Sequence, residues 1–303
     1  MSITRLQGIF PVFKPRGITS SQLLEVIKIK LNKENASDTP VKMGHGGTLD
    51  INATGVLVVG INDGCSKLPA FLGGSKVYHS SCVFGRATDS YNKEGKTIME
   101  KSFGMNYLSC TQQLSNTAFY VLDHITLSDI NSFSTAMKGQ VLQKPPPFSA
   151  LKFQGKRLSD LAREGTVVDP NPRLVNCYDF KVIEFVLPKL TFELSCSKGF
   201  YVRSLVHDLG LALDSCAYLD ELERIRQGPF ETDHCLMEED CTVSGIKQKI
   251  LDMWQSTEEY LDCQMTMYRS LNASKNQSQF PVKHKHGGSN KIGKKQSHKW
   301  EFV

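Results

Sequence analysis

Two strand-like runs stand almost next to each other at residues 174–186 and 190–196, with only a few residues between them. Strands that follow one another so directly pair antiparallel, because a parallel return needs a crossover of a dozen residues or more. Further strand signals occur near the start of the chain in "GIFPVF", at 55–61 in "GVLVVGI", and at 75–85 in "SKVYHSSCVFG", the last two bounded by glycine. Helical patterns fall between them irregularly. The combination predicts an α+β fold with a mixed, largely antiparallel central sheet flanked by helices, and it disfavours a doubly wound parallel sheet.

The helical segments are read from periodicity and caps. After the Lys14–Gly17 turn, Leu23, Leu24, Ile27 and Leu31 share one helix face behind a cap at Ser20 or Ser21. A second helix is expected around Ser66–Leu72. A third is expected over Ser128–Lys138, with Ser128 as cap and Gly139 as stop. The prolines of "KPPPFSALK" force an exposed extended backbone that runs into a short basic helix. "SKGFYVRSLVHDLGLAL" passes from strand to helix, "LDELERIRQGPF" ends the regular part, and residues 235–263 suit one or two helices.

Charge divides the chain into three parts. Residues 1–230 carry 26 Lys and Arg against 21 Asp and Glu, residues 231–280 carry 4 against 9, and residues 281–303 carry 6 against 1. The expected organisation is a mildly basic body over 1–230, an acidic, partly helical extension over 231–275, and a basic tail over 276–303 without apolar periodicity. Basic ends attract polyanions, and they also serve as plain solvated tails.

Several classes are disfavoured. No stretch has the ~18 consecutive apolar residues of a membrane span, and residues 1–12 lack the layout of a signal peptide, so an intracellular protein is expected. The nine cysteines show no C-x-x-C pair and no Cys/His clustering, which suggests neither a zinc site nor a disulfide framework. The phosphate-cradling spacings G-x-x-x-x-G-K-[ST] and G-x-G-x-x-G are missing from the glycine loop "GHGGTLDINATGVLVVG" at 44–60.

That loop presents a carboxylate, Asp50, close to an imidazole, His45, where the glycines allow a tight turn and the close approach of another molecule. Taken alone, Asp50 also reads as a turn or cap residue and His45 as a surface imidazole. Hydrolysis of a glycosidic bond by paired carboxylates has little support, since no second acid stands out as a partner.

Five blocks change that balance by their order: "KPRG" (14–17), "GHGGTLD" (44–50), "SKVYHS" (75–80), "PPFSALK" (146–152) and "SKGFYVRSLVHDLG" (197–210). Over residues 7–230 the chain closely resembles the TruB family of tRNA pseudouridine synthases. The resemblance implies the pseudouridine synthase fold and isomerisation of a T-loop uridine of tRNA, with the T stem-loop as partner and mRNA carrying a similar loop as a second RNA class. The isomerisation needs no redox change and no net water, which fits a chain with no cofactor motif and no metal site.

By family position Asp50 is the catalytic carboxylate, as nucleophile or as base. Arg203 in "GFYVRSL" resembles the arginine that pairs with it and opposes the pKa rise of a buried acid. Tyr78 matches the tyrosine against the target uracil, and Leu222 in "LDELERIRQG" the apolar wall under the base. His45 takes the position of the histidine that stacks where the extruded base was. Gly46 and Tyr201 go with the substrate pocket. Lys14, Lys76 and Lys152, with Arg16, Lys156, Arg157 and Arg163, are candidate phosphate contacts. By residue type alone, Tyr78 and Leu222 serve equally as core residues of a strand and a helix.

The departures concern binding more than chemistry. Bacterial members end in an RNA-binding PUA barrel, whereas the acidic-then-basic C-terminal region here shows no such strand pattern, as in the eukaryotic branch. Phe148 stands where "PMYSALK" carries tyrosine, and "GHGGTLD" differs from the bacterial "GHTGALD" without touching a catalytic residue. A protein that binds and refolds tRNA without turnover is the alternative. A monomer in the nucleus, the mitochondrion or both is the expected setting, with the cytoplasm as the alternative compartment.

Overall fold

The computed structural model describes residues 6–34, 41–101, 124–166 and 168–277, with side chains described as far as Ser270. Most of the polar loop expected after the first helix, Cys110 and nearly all of the basic tail lie outside these residues.

In chain order the elements are β1 (Gly8–Lys14), α1 (Ser20–Glu34), β2 (Met43–His45), β3 (Thr54–Ile61), α2 (Leu68–Gly73), β4 (Lys76–Phe84), β5 (Arg86–Thr88), β6 (Thr97–Glu100), α3 (Leu127–Met137), β7 (Gly139–Gln143), β8 (Lys152–Phe153), β9 (Lys156–Arg157), α4 (Leu158–Arg163), β10 (Arg173–Val186), β11 (Lys189–Cys196), α5 (Val202–Ala212), β12 (Ala217–Gln227), β13 (Phe230–Glu231), α6 (Val243–Asp252) and α7 (Trp254–Gln277). The main sheet runs β1-β3-β12-β4-β11-β10-β7, with β2 beside β3 and β13 beside β12. Among its described pairings only β3 with β12 is parallel. This is the mixed, largely antiparallel α+β sheet that the adjacent strand runs predict.

Local chemistry explains the element ends. Thr19, rather than Ser20 or Ser21, caps α1: its hydroxyl accepts from the Gln22 amide while the Gln22 side chain accepts from the Thr19 amide. Ser20 is spent elsewhere, accepting from the Leu49 amide at 3.0 Å and donating to the Leu49 carbonyl, so α1 is pinned to the glycine loop. Thr126, not Ser128, caps α3, in a reciprocal box with Asp129.

Leu23, Leu24, Ile27 and Leu31 of α1 are buried against Phe10, Val12, Leu57 and Val59, and the same cluster takes in Ile246 and Ile250 of α6. The acidic extension therefore closes the core over β1 instead of standing apart. A second cluster packs Ile130 and Phe133 of α3 and Leu205, Val206 and Leu209 of α5 on β4, β10 and β11. A third joins Phe71 of α2, Phe230 of β13 and Leu261 of α7. The segment "LDELERIRQG" is strand, not helix: β12 is central, and its Leu222 packs on the α5 cluster.

Candidate active site

The glycine loop leaves β2, turns, and enters β3, so both of its ends are anchored in the sheet. Its interior is tied down as well. The Gly46 amide donates to the Val58 carbonyl, the Gly17 amide to the Ile51 carbonyl, and the Ala53 amide to the Asp50 carbonyl. Asp50 thus projects from a backbone with little freedom, and its side chain keeps 40% of its exposure.

Arg203 meets it from the first turn of α5. Its Nε donates to Asp50 Oδ2 at 2.8 Å and its Nη2 to Asp50 Oδ1 at 3.2 Å, a two-pronged pairing that orients both carboxylate oxygens. Two further donations hold it: Nη1 reaches the Ser90 carbonyl at 3.1 Å and Nη2 the Phe148 carbonyl at 2.9 Å. Only 7% of the Arg203 side chain is exposed. A buried guanidinium held by four hydrogen bonds resists swinging away, so the carboxylate faces the open side in one orientation.

The sheet supplies the floor. Strand register places Tyr78 opposite Arg224 and Ser80 opposite Leu222, so these four side chains share one face. Tyr78 and Leu222 are partly buried at the edge of the α5 cluster. Burial pushes the Tyr78 phenol up to about 12, Arg224 opposes the shift, and the charge of Asp50 reaches the phenol. Tyr201, at the start of α5, is held by a Gln143 side chain that donates to its carbonyl at 3.0 Å and accepts from its amide at 2.8 Å. Burial raises the Tyr201 phenol, which also feels Arg203 and Asp50. His45 ends β2 half-buried; burial, then Arg224, lowers its pKa and favours the neutral ring, whose Nδ1 has no partner among the described residues.

Known proteins are similar to this chain in sequence and in fold. The model for the TruB family pseudouridylate synthase (N terminal domain) matches residues 33–119 and 106–202, together more than half of the chain. The chain belongs to the TruB family. It is 40% identical over 256 residues to pseudouridylate synthase TRUB1 of Homo sapiens, covering 81% of this chain and 68% of that one. It is 32% identical over 265 residues to tRNA pseudouridine synthase B of Clostridium tetani, covering 88% and 83%. A solved relative, from a crystal structure of a Cbf5-Nop10-Gar1 complex, matches with a TM-score of 0.53 and 25% identity over 77% of this chain and 53% of that one. The chain thus spans about half the length of that solved relative.

Within this TruB-family chain the structure brings Asp50, Arg203, Tyr78, Tyr201 and Leu222 around one site. It does not place three of the expected substrate contacts at the surface. Lys14 is fully buried, and its Nζ donates to the carbonyls of Pro15, Ile51 and Ala53 at 2.8, 3.0 and 2.7 Å. Lys76 is 6% exposed and donates to the carbonyls of Phe71, Leu72 and Gly74. Burial lowers both amines to about 8. They serve the backbone, because carbonyls left without donors by tight loops need a cation more than solvent does. Gly46 is buried too: its carbonyl accepts from Gln227 Nε2 at 2.7 Å, and a β-carbon there would lie 2.9 Å from Phe71 Cβ.

Lys152 and Arg157 are exposed and directly paired across the β8–β9 hairpin. Exposed Lys156 and Arg163 are engaged with Glu164 and Asp160, and Arg16 with Glu221. Sequence reasoning missed Arg224, Gln227 and Gln143. No sequence signal marks Arg224, because the charged composition of 220–226 resembles a solvated helix surface and a register shift after Arg224 turns Arg226 out to solvent.

Proposed function

We propose that this TruB-family pseudouridine synthase isomerises a T-loop uridine of tRNA at the Asp50 site. The bidentate pairing of Asp50 with Arg203 carries the reading. A carboxylate oriented by a buried arginine, beside a tyrosine and an apolar wall, suits a flat, neutral pyrimidine ring held with its sugar against an ionised carboxylate. In the reaction the C1′–N1 bond breaks, the uracil turns, a C1′–C5 bond forms, and the proton on C5 leaves as N1 gains one, so atoms and electrons balance within the nucleoside. Asp50 serves either as nucleophile or as base toward the nucleoside; both routes require it ionised and aimed.

The target must leave its stack, at a cost of a few kcal/mol. The neutral His45 ring, on the rim of the same loop, is suited to stack in the vacated position. The exposed Lys152–Arg157 hairpin supplies backbone phosphate contacts.

The test is Asp50→Asn with a tRNA transcript and direct mapping of pseudouridine. Complete loss of product, with tRNA affinity within about threefold of the parent, is expected for an interaction made in the transition state. Turnover retained by Asp50→Asn overturns the assignment. Mapping in cells lacking the protein separates tRNA from mRNA targets and discards the catalytic reading if no pseudouridine disappears.

A further inference from the structure

Arg224 is the largest wholly buried side chain among the described residues. Burial lowers its pKa, and the interactions that oppose this come from Tyr78, Cys235 and Cys196, with no carboxylate among them. A cation this deep without an ion partner is costly to keep. Its donors explain where it is used. Nε donates to the Val56 carbonyl at 2.7 Å and Nη2 to the Gly47 carbonyl at 3.0 Å, and strand register sets Arg224 directly opposite Tyr78, whose phenol feels its charge. Gly47 and Val56 lie on the two limbs of the loop that carries Asp50. One rigid plane therefore ties both limbs of that loop from the strand position facing Tyr78.

The stem of Arg224 is as constrained as its head. Its backbone pairs with Gly55 in the parallel β3–β12 contact, and a β-carbon on Gly55 would lie 2.3 Å from the Arg224 carbonyl oxygen.

We propose that Arg224 is a positioning residue for the isomerisation: it holds the Tyr78 hydroxyl at a set place relative to Asp50, and it acts on the reaction through that hydroxyl. The assignment rests on the reading of Asp50 and Tyr78 as groups that face the nucleoside. Arg203 orients the carboxylate from the helix side, and Arg224 orients the phenol from the sheet. The geometry gives each of the two oxygen-bearing groups its own arginine.

A double-mutant cycle separates this role from simple support of the core. Single-turnover pseudouridine formation is measured at saturating enzyme for the parent, Arg224→Lys, Tyr78→Phe and the double variant, with tRNA affinity and thermal unfolding recorded for each. Lysine keeps the charge and loses the plane. Arg224→Lys is expected to slow the chemical step about tenfold, to leave affinity within about twofold, and to add less than about twofold on top of Tyr78→Phe.

An Arg224→Lys protein as fast as the parent overturns the proposal. So does a full, independent penalty in the Tyr78→Phe background, which marks Arg224 as a core support alone. Failure of both Arg224→Lys and Arg224→Gln to unfold cooperatively overturns it as well, since the side chain is then required for folding itself. A Tyr78→Phe protein as active as the parent also overturns it, while leaving the Asp50 reading to its own Asp50→Asn test.

Discussion

Gly55 and Arg224 face each other across the parallel β3–β12 contact so closely that a β-carbon on Gly55 would lie 2.3 Å from the Arg224 carbonyl oxygen. Gly55 also has a φ of +101°, a conformation that side chains resist. The short glycine loop and the central strand are fitted to each other through this one contact. Gly55→Ala is therefore expected to cost about 3 kcal/mol or more and to reduce turnover beyond the loss of folded protein. Urea unfolding and single-turnover rates on the folded fraction check both; an unchanged midpoint would show that the strands can part without cost.

Lys14 Nζ gathers three carbonyls, two of them from the segment that follows Asp50. Lys14→Met keeps the apolar stem and removes the donor, leaving those carbonyls to find other partners. The expected loss of stability is about 2 kcal/mol, read by denaturant unfolding, and tRNA affinity should change little because the ammonium is not at the surface.

Asp208 on α5 lies mostly buried, and burial raises its carboxyl from 3.8 to about 7, with Lys144 opposing. The folded state therefore holds a proton that the unfolded state releases first. The stability this contributes is fully present below the unfolded pKa and is lost as pH rises through the folded one, so the window runs from about pH 4 to pH 7. Asp208→Asn should flatten this part of the stability curve and raise the melting temperature at neutral pH relative to the parent. Melting curves across the window decide it; an unaltered slope would mean that Asp208 is not the group that titrates.

Lys152→Ala and Arg157→Ala remove exposed charges from neighbouring strands of the β8–β9 hairpin. Each is expected to weaken tRNA binding and to reduce the slope of log affinity against log salt by about 1. Single-turnover rates at saturation should hold. Arg163→Ala, whose partner is Asp160, should change the slope less.

Tyr260 of α7 stacks on Phe71 at 5.0 Å between ring centroids and lies against Gly74 and Gly228. Tyr260 is partly buried, so Tyr260→Ala is expected to cost about 2 kcal/mol, below the range for fully buried aromatics cut back to alanine. A variant melting with the parent would show that α7 is dispensable to the body.

The strands at 55–61 and 75–85 and the buried face of α1 were legible because apolar residues alternate or recur at the period of the element they form. The caps were misjudged by one or two positions, since threonine and serine compete for the same amides and the choice depends on what else each hydroxyl can reach: Ser20 had Leu49. The central strand β12 was illegible for a related reason. Its charged residues look solvated in one dimension, yet Arg224 is inside and its neighbours Glu221 and Glu223 are not.

The amino-acid order alone determined the α+β class, the family and the positions of Asp50, Tyr78 and Arg203, because motif spacing and hydrophobic period are properties of neighbours along the chain. Only the folded chain decided that Lys14 and Lys76 serve buried carbonyls while Lys152 meets solvent, that Arg203 forks onto Asp50, and that Arg224 ties both limbs of the loop from the strand position opposite Tyr78. A cation takes its role from the oxygens that surround it. Here those oxygens come from residues up to 177 positions away, brought within 3.0 Å by the pairing of strands.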